Sequence, residues 1–337
     1  MRAFVIPPAP KGVDDLRLVE RPEPTPRAGQ VVVRIRAASL NYRDQAVITG
    51  TYPGPTVATD LIPLSDGAGE VTAVGDGVTR VRVGDRVAAT FGQTPPRGGP
   101  FGPQAPLGSP LDGMLADAIA LYEDGLVVVP AGLSFEEAAC LPCAAVTAWN
   151  ALMATGKPII AGQTVLALGT GGVSTFALQF ARAAGARVLV TSSSDEKIAR
   201  MKALGASDGI NYTRTPDWDK EALRLTDGRG VDCVIETGGA GTLGRSFQAV
   251  AAGGKVCLIG VLTGRDGANN PYVLMRKRSN LHGIWVGDRE MFEQMNRAIE
   301  VNDIRPLVDR VFGFEDAPAA FRLHISGGFI GKVVIKM

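Results

Sequence analysis

An apolar run, Val165-Leu166-Ala167-Leu168, passes directly into Gly169-Thr170-Gly171-Gly172-Val173-Ser174. A strand that feeds a glycine turn and then a helix is the backbone context that binds a dinucleotide pyrophosphate. Gly169 permits the tight turn, and Gly171 lets the main chain approach the anion. Thr170, Gly172 and Val173 complete the turn, where unpaired N–H groups and the positive end of the helix dipole await phosphates. Ser174 stands where the pattern has its third glycine. The next strand ends Val190-Thr191-Ser192-Ser193-Ser194, with no carboxylate at its tip to accept from a ribose 2′-OH. Ser192 and Ser193 can donate to a phosphate and Lys197 follows in the first helical turn, which favours NADP (NADPH) over NAD. Asp195 and Glu196 fit the acidic first turn of a helix capped by Ser194.

Other reactive side chains carry weaker signals. Cys140 and Cys143 form a CxxC, but the surrounding Ala-Ala-Cys-Leu-Pro-Cys-Ala-Ala is apolar and helical, which favours packed thiols over a redox pair. With Cys233 and Cys257 the chain has four cysteines, three of them in apolar runs, too few for a disulfide framework. A reducing, cytoplasmic setting is expected. The only histidines, His282 and His324, lie in apolar or C-terminal contexts that suit packing better than catalysis.

Positioning these groups requires alternating strands and helices. Strands are expected at 164–168, 187–190, 231–235, 255–259 and 282–286, with amphipathic helices at 173–184, 195–204, 217–226 and 242–250, a doubly wound parallel sheet. Ahead of it, Ser134 and Glu137 form a capping box that opens an Ala-rich helix. The first third predicts strands at 4–6, 30–37, 69–73 and 86–89, separated by glycine turns, as in a small β-barrel. Residues 92–113 hold six Gly and six Pro, which predicts a long loop. The final segment predicts a helix and an end strand, 331–336, that alternates like a barrel strand and returns to the first domain.

Composition narrows the function classes. A chain of 337 residues exceeds one ordinary core, so two domains are expected. With 45% apolar residues, 20% charged residues and a net charge of +1, it has no electrostatic footprint for nucleic acid or an anionic membrane. No apolar run approaches the ~18 residues of a membrane helix.

Taken together, Ser39-Leu40-Asn41-Tyr42-Arg43-Asp44, Gly67-Ala68-Gly69-Glu70-Val71, Val83-Gly84-Asp85-Arg86-Val87, Leu141-Pro142-Cys143 through Thr147-Ala148-Trp149, and Leu204-Gly205-Ala206 through Ile210-Asn211-Tyr212 occur in one order. In these segments the whole chain resembles the medium-chain dehydrogenases/reductases of the zinc-independent, quinone oxidoreductase-like branch. The resemblance implies an α/β fold with a GroES-like β-barrel domain (1–125 and 288–337) and a Rossmann domain (126–287). It implies that Lys197 and Tyr212 contact the 2′-phosphate, and that Thr147, Gly260, Val261 and Asn41 belong to the cofactor site. Zinc-dependent relatives place Cys, His and Cys where this chain has Asn41, Ser65 and Cys143, and their structural-zinc lobe falls in a loop that here contains no Cys. Both zincs are therefore expected to be absent.

Without a metal Lewis acid, reversible oxidation of simple alcohols loses its means of deprotonating the hydroxyl. Conjugate reduction needs only donors for the developing enolate oxygen and a later proton. Asn41, Tyr42 and Tyr52 are the expected catalytic groups, with Arg43 as a further donor, in a segment that the family places beside the nicotinamide. Arg43 with Asp44 also reads as a structural ion pair, and Tyr52 as a turn aromatic. The expected function is NADPH-dependent reduction of a small-molecule carbonyl or quinone by a cytoplasmic homodimer. An enoyl-thioester reductase, suggested by the likeness of residues 40–44 to polyketide synthase units, and an NADPH-binding protein with little catalysis are the alternatives.

Overall fold

A computed structural model describes residues 1–53, 59–93 and 105–337. The chain divides into two units, Met1–Ala144 with Asp288–Met337, and Ala145–Gly287.

The first unit starts with an antiparallel pair, β1 (Arg2–Val5) and β2 (Arg17–Glu20). The long β3 (Gln30–Ser39) turns Val31, Val33 and Ile35 into the core and Arg34 and Arg36 outward, the period of a half-buried strand. After the short helix α1 (Tyr42–Ile48), β4 (Asp66–Val74) pairs antiparallel with β3, and β5 (Arg86–Ala89) pairs with β4. A two-residue ladder joins β6 (Gly92–Gln93) to β7 (Ala105–Pro106). β8 (Ala118–Tyr122) adds to β3, β9 (Leu126–Val128) adds to β5, and α2 (Phe135–Ala138) follows. The capping box at Ser134 is present, with reciprocal bonds to Glu137 of 2.8 and 3.1 Å. Pairing of β9 with β5 and packing of α2 on β3 and β4 continue this unit to Ala144.

The second unit opens with α3 (Val146–Trp149) between two π-helical turns. It continues through β10 (Thr164–Leu168), α4 (Gly172–Ala183), β11 (Arg187–Ser192), α5 (Asp195–Ala203), β12 (Asp208–Asn211), α6 (Trp218–Leu225), β13 (Val231–Glu236), α7 (Ala240–Ala249), β14 (Val250–Leu258), α8 (Tyr272–Lys277) and β15 (Asn280–Gly283). The strands form one parallel sheet in the order β12-β11-β10-β13-β14-β15. Every residue of β10 is buried, as expected of a central strand covered on both faces, which is why it reads as an unbroken apolar run. Strand order reverses between β11-β10 and β10-β13, so the glycine turn after β10 sits at the switch point of the sheet.

The chain then adds α9 (Arg289–Val301), β16 (Val308–Gly313), α10 (Ala317–Ser326) and β17 (Lys332–Lys336) to the first unit. β17 lies parallel to β16 and antiparallel to β3, completing the sheet β16-β17-β3-β4-β5-β9.

Several elements differ from the sequence pattern. β17 does not alternate: its first four residues, Lys332 included, are buried because it is an inner strand and α10 packs on it. β12 lacks the apolar run of a strand and is held by its pairing with β11. β15 ends at Gly283, before the exposed Trp285. Within 92–113, residues 94–104 lie outside the described ones. The rest is not merely loop, because β6 pairs β7 and Leu107 and Gly113 hydrogen-bond to the Phe91 and Ile62 carbonyls.

Candidate active site

The nucleotide-binding expectation rests on the second unit. Gly169 has φ of 79°, a conformation that a side chain disfavours, and a Cβ at Gly169 or at Gly171 would meet no atom within 4 Å. Gly171 is the N-cap of α4 and makes no side-chain capping bond, so the cap itself leaves the N–H groups of Gly172 and Val173 unfilled. Ser174 explains its own departure from the glycine pattern: buried, its hydroxyl donates to the Leu168 carbonyl at 2.7 Å and ties helix to strand. Thr170 is buried, and the Gly169 N–H donates to Thr191 Oγ1 at 3.2 Å, fixing the turn against β11. These groups fit a pyrophosphate.

At the tip of β11, Ser192 is buried and Ser193 exposed. Ser192 Oγ accepts from the Ser194 N–H, and Ser194 caps α5 by accepting from the Lys197 N–H. Pairing of Ser192 with Asn211 and a bond from the Tyr212 N–H to the Ser192 carbonyl bring the exposed Tyr212 to the same tip. The Asp195 carboxylate accepts from Asn211 at 2.9 Å and from Arg214 at 2.6 Å, so it is engaged with β12 and the turn beyond. Arg214 is a cation at this tip that the sequence reading did not single out. Gly260 and Val261 follow β14 at the same edge of the sheet, and a Cβ at Gly260 would lie 2.3 Å from the Thr237 carbonyl oxygen. Thr147 is buried on α3.

A second polar cluster lies within the first unit. Lys332 opens β17, and the register that pairs Val334 with Ser39 carries its side chain to the junction of β3 and α1. Its Nζ donates to the Leu40 carbonyl and to Asn41 Oδ1, each at 2.6 Å, and stands 4.0 Å from Asp66 Oδ2. Asp66 is fully buried and accepts from Ser65 Oγ at 2.7 Å and from the Cys143 N–H at 3.0 Å. Asn41 Nδ2 makes a long 3.5 Å contact to Ser65 Oγ, and the Asn41 N–H donates to Asp44 at 2.8 Å, capping α1. Burial pushes the Asp44 carboxyl up to about 6 although Arg43 pulls it down.

Arg43 and Asp44 do form a buried ion pair, 3.2 Å apart. Arg43 also donates to the Leu107 and Ser109 carbonyls and lies over the rings of Tyr52 and Phe91, 5.0 and 5.1 Å from their centroids. Its Nη donors go to Asp44 and to the framework carbonyls, its buried Nε has no hydrogen-bond partner among the described residues, and its guanidinium backs the half-buried Tyr52 ring. Tyr42, 45% exposed, joins neither cluster among the described residues.

The groups at the three zinc-ligand positions of the resembled relatives do not fit a zinc ion. Asn41 Oδ1 receives an ammonium and Ser65 Oγ directs its proton to Asp66, which leaves Cys143 as the one strong zinc-ligand type of the three. Burial pushes Cys140 up to about 12, in line with a packed rather than a reactive CxxC. Among the described residues no three His, Cys, Asp or Glu side chains come together as metal ligands. Lys332 and Asp66 were not singled out in the sequence.

Comparison with known proteins gives two family-model matches, the alcohol dehydrogenase GroES-like domain over residues 27–131 and the zinc-binding dehydrogenase over residues 172–300. The chain is 43% identical over 342 residues to a zinc-type alcohol dehydrogenase-like protein of Schizosaccharomyces pombe, covering 99% of each. It is 33% identical to a quinone oxidoreductase of Pseudomonas aeruginosa over 88% of this chain and 87% of that one. Among solved structures, a putative alcohol dehydrogenase from Sinorhizobium meliloti 1021 superposes with a TM-score of 0.88 at 40% identity, all of both chains being covered.

Proposed function

Because the chain belongs to the zinc-type alcohol dehydrogenase-like family, medium-chain NAD(P)-dependent oxidoreductases with a GroES-like and a Rossmann-like domain, we propose that it transfers hydride from NADPH to a quinone or α,β-unsaturated carbonyl without zinc. The observation that carries this reading is the replacement of a metal-binding set by the Lys332, Asn41 and Asp66 network. The Asn41 and Ser65 lone pairs that a Lewis acid would need are already engaged, and one Cys alone does not make a zinc site. An acceptor whose own conjugation stabilises the developing charge does not require that metal.

NADPH, when bound, supplies the hydride. The Gly169 to Val173 turn would hold its pyrophosphate, and Ser192, Ser193, Lys197 and Tyr212 would hold the 2′-phosphate. Asp195, which would favour a 2′-hydroxyl, is instead paired with Arg214 and Asn211. In the first unit the Asn41 carboxamide donates to the oxygen on which charge develops, and Tyr52 supplies the proton. Two copies of the chain associate through the outer edge of β15, which no described strand pairs and beside which Leu281, Trp285 and Met275 are exposed.

The test is a screen of NADPH oxidation against quinones, enones, enoyl thioesters, aldehydes and simple alcohols in the reverse direction. Turnover with quinones or enones and none with alcohols is expected. Turnover confined to alcohol oxidation and abolished by chelators would overturn the reading.

A further inference from the structure

We propose that Lys332 is a positioning residue for the reaction, holding the Asn41 carboxamide in the single orientation that turns its NH2 group toward the substrate. This rests on the proposed role of Asn41 as the donor to the acceptor oxygen.

The argument starts from burial. Lys332 is 2% exposed, in an inner strand where an ammonium is costly unless its protons and charge are met. All of its nearest polar partners are acceptors: the Leu40 carbonyl, Asn41 Oδ1 and the Asp66 carboxylate. An ammonium has three donors and no lone pair, so it can face only the oxygen end of a carboxamide. Reversing the Asn41 amide would set NH2 against NH3⁺, two donors in a site closed to water, and would leave Asn41 Oδ1 facing the oxygen of Ser65. The orientation of Asn41 is therefore dictated by charge rather than by a weak preference. Nδ2 is left with two hydrogens, of which the 3.5 Å contact to Ser65 can use only one. The cation against Oδ1 also draws electron density from the amide and makes the remaining N–H a stronger donor.

The surrounding bonds serve the same end. The Leu40 carbonyl and Asn41 Oδ1 are one residue apart, so a single ammonium bridging them fixes both the main chain and the side chain at the start of α1. Asp66 balances the charge and is itself fixed by Ser65 Oγ and the Cys143 N–H. Asn41 also takes part in the capping box of α1, its N–H donating to Asp44 and its side-chain oxygen facing the Asp44 N–H, so the helix start and Lys332 both favour the same end of the amide. The Lys332 contact adds a charged, 2.6 Å bond to that orientation.

A double-mutant cycle of Lys332→Met and Asn41→Ala tests the proposal, read as kcat and KM for the enone or quinone turned over in the screen. Lys332→Met is expected to lower kcat about 10- to 100-fold with KM changed less than about threefold. In the Asn41→Ala background the same substitution should cost less than about twofold, because the residue it positions is gone. Equal losses in both backgrounds would overturn the proposal and make Lys332 a structural residue. If Lys332→Met leaves Asp66 uncompensated and does not fold, Lys332→Met with Asp66→Asn removes both charges and enters the same cycle. Should no acceptor be turned over at all, the proposed function fails, and Lys332 is then judged by the side-chain amide NMR signals of Asn41 alone. Two sharp, well-separated Nδ2 proton signals that broaden or collapse in Lys332→Met/Asp66→Asn support the positioning role, and signals left unchanged refute it.

Discussion

His324 makes the acid stability of the first unit measurable residue by residue. It lies near the end of α10, buried and stacked on Phe329 with centroids 4.9 Å apart, and its Nδ1 has no hydrogen-bond partner among the described residues. Burial, and then the Lys332 charge, depress it from 6.5 to about 3. The folded protein therefore keeps His324 neutral while the unfolded chain takes up a proton below pH 6.5, so stability is lost as pH falls from 6.5 toward 3. At 1.36 kcal/mol per pH unit this removes about 2 kcal/mol between pH 7 and pH 5. Asp44 acts with the opposite sign. Its carboxyl is raised from 3.8 to about 6, so the folded state binds a proton that the unfolded chain does not, and stability rises by about 1 kcal/mol over the same interval. The two contributions nearly cancel in the unaltered protein. Urea unfolding followed by circular dichroism at pH 7 and pH 5 separates them, because each variant is compared with itself and any loss of packing common to both pH values drops out. His324→Phe should gain about 2 kcal/mol relative to the unaltered protein on going to pH 5, and Asp44→Asn should lose about 1 kcal/mol. A His324→Phe profile parallel to the original within about 0.5 kcal/mol would show that the imidazole is hydrated or paired in solution and that the reasoning fails.

Four further outcomes are expected. Lys197→Ala should reduce the preference for NADPH over NADH about tenfold or more while leaving NADH binding nearly unchanged, since a charge-assisted phosphate contact is worth roughly 1.5 to 3 kcal/mol; equal affinities in the unaltered protein, measured by fluorescence titration, would refute it. Asn41→Ala and Tyr52→Phe should each lower turnover about 10- to 1000-fold; Tyr52→Phe should change thermal stability little, whereas a purely structural Tyr52 would show the reverse, and Asn41→Ala should also lower stability because it takes an acceptor from the buried Lys332 ammonium. Elemental analysis of the purified protein should find no stoichiometric zinc, and one tightly held zinc per chain would contradict the donor chemistry at Asn41, Ser65 and Cys143. Light scattering should give a dimer, and Leu281→Lys, which sets a charge on the exposed edge of β15, should yield monomer; a monomer from the unaltered protein at micromolar concentration would reject the edge pairing.

The sequence by itself determined what depends on neighbours in the chain. Gly169 needs its positive φ wherever the fold puts it, Ser134 and Ser194 cap helices through partners three residues on, and β10 is an unbroken apolar run because a central parallel strand is covered on both faces. The nucleotide turn and most of the parallel sheet were therefore legible. Only the tertiary structure decided the charge at the second cluster. Lys332 reaches Asn41 across 291 residues of chain, and nothing local distinguishes a lysine that will be buried against Asp66 from one that ends a strand in water. The same holds for β12, which is a strand by virtue of β11, and for β17, whose alternation disappears once α10 and two neighbouring strands cover it. Local patterns record the environment that a residue's immediate neighbours impose. A buried ion is stabilised by partners that the chain brings in from elsewhere, so its position is written only in the folded arrangement.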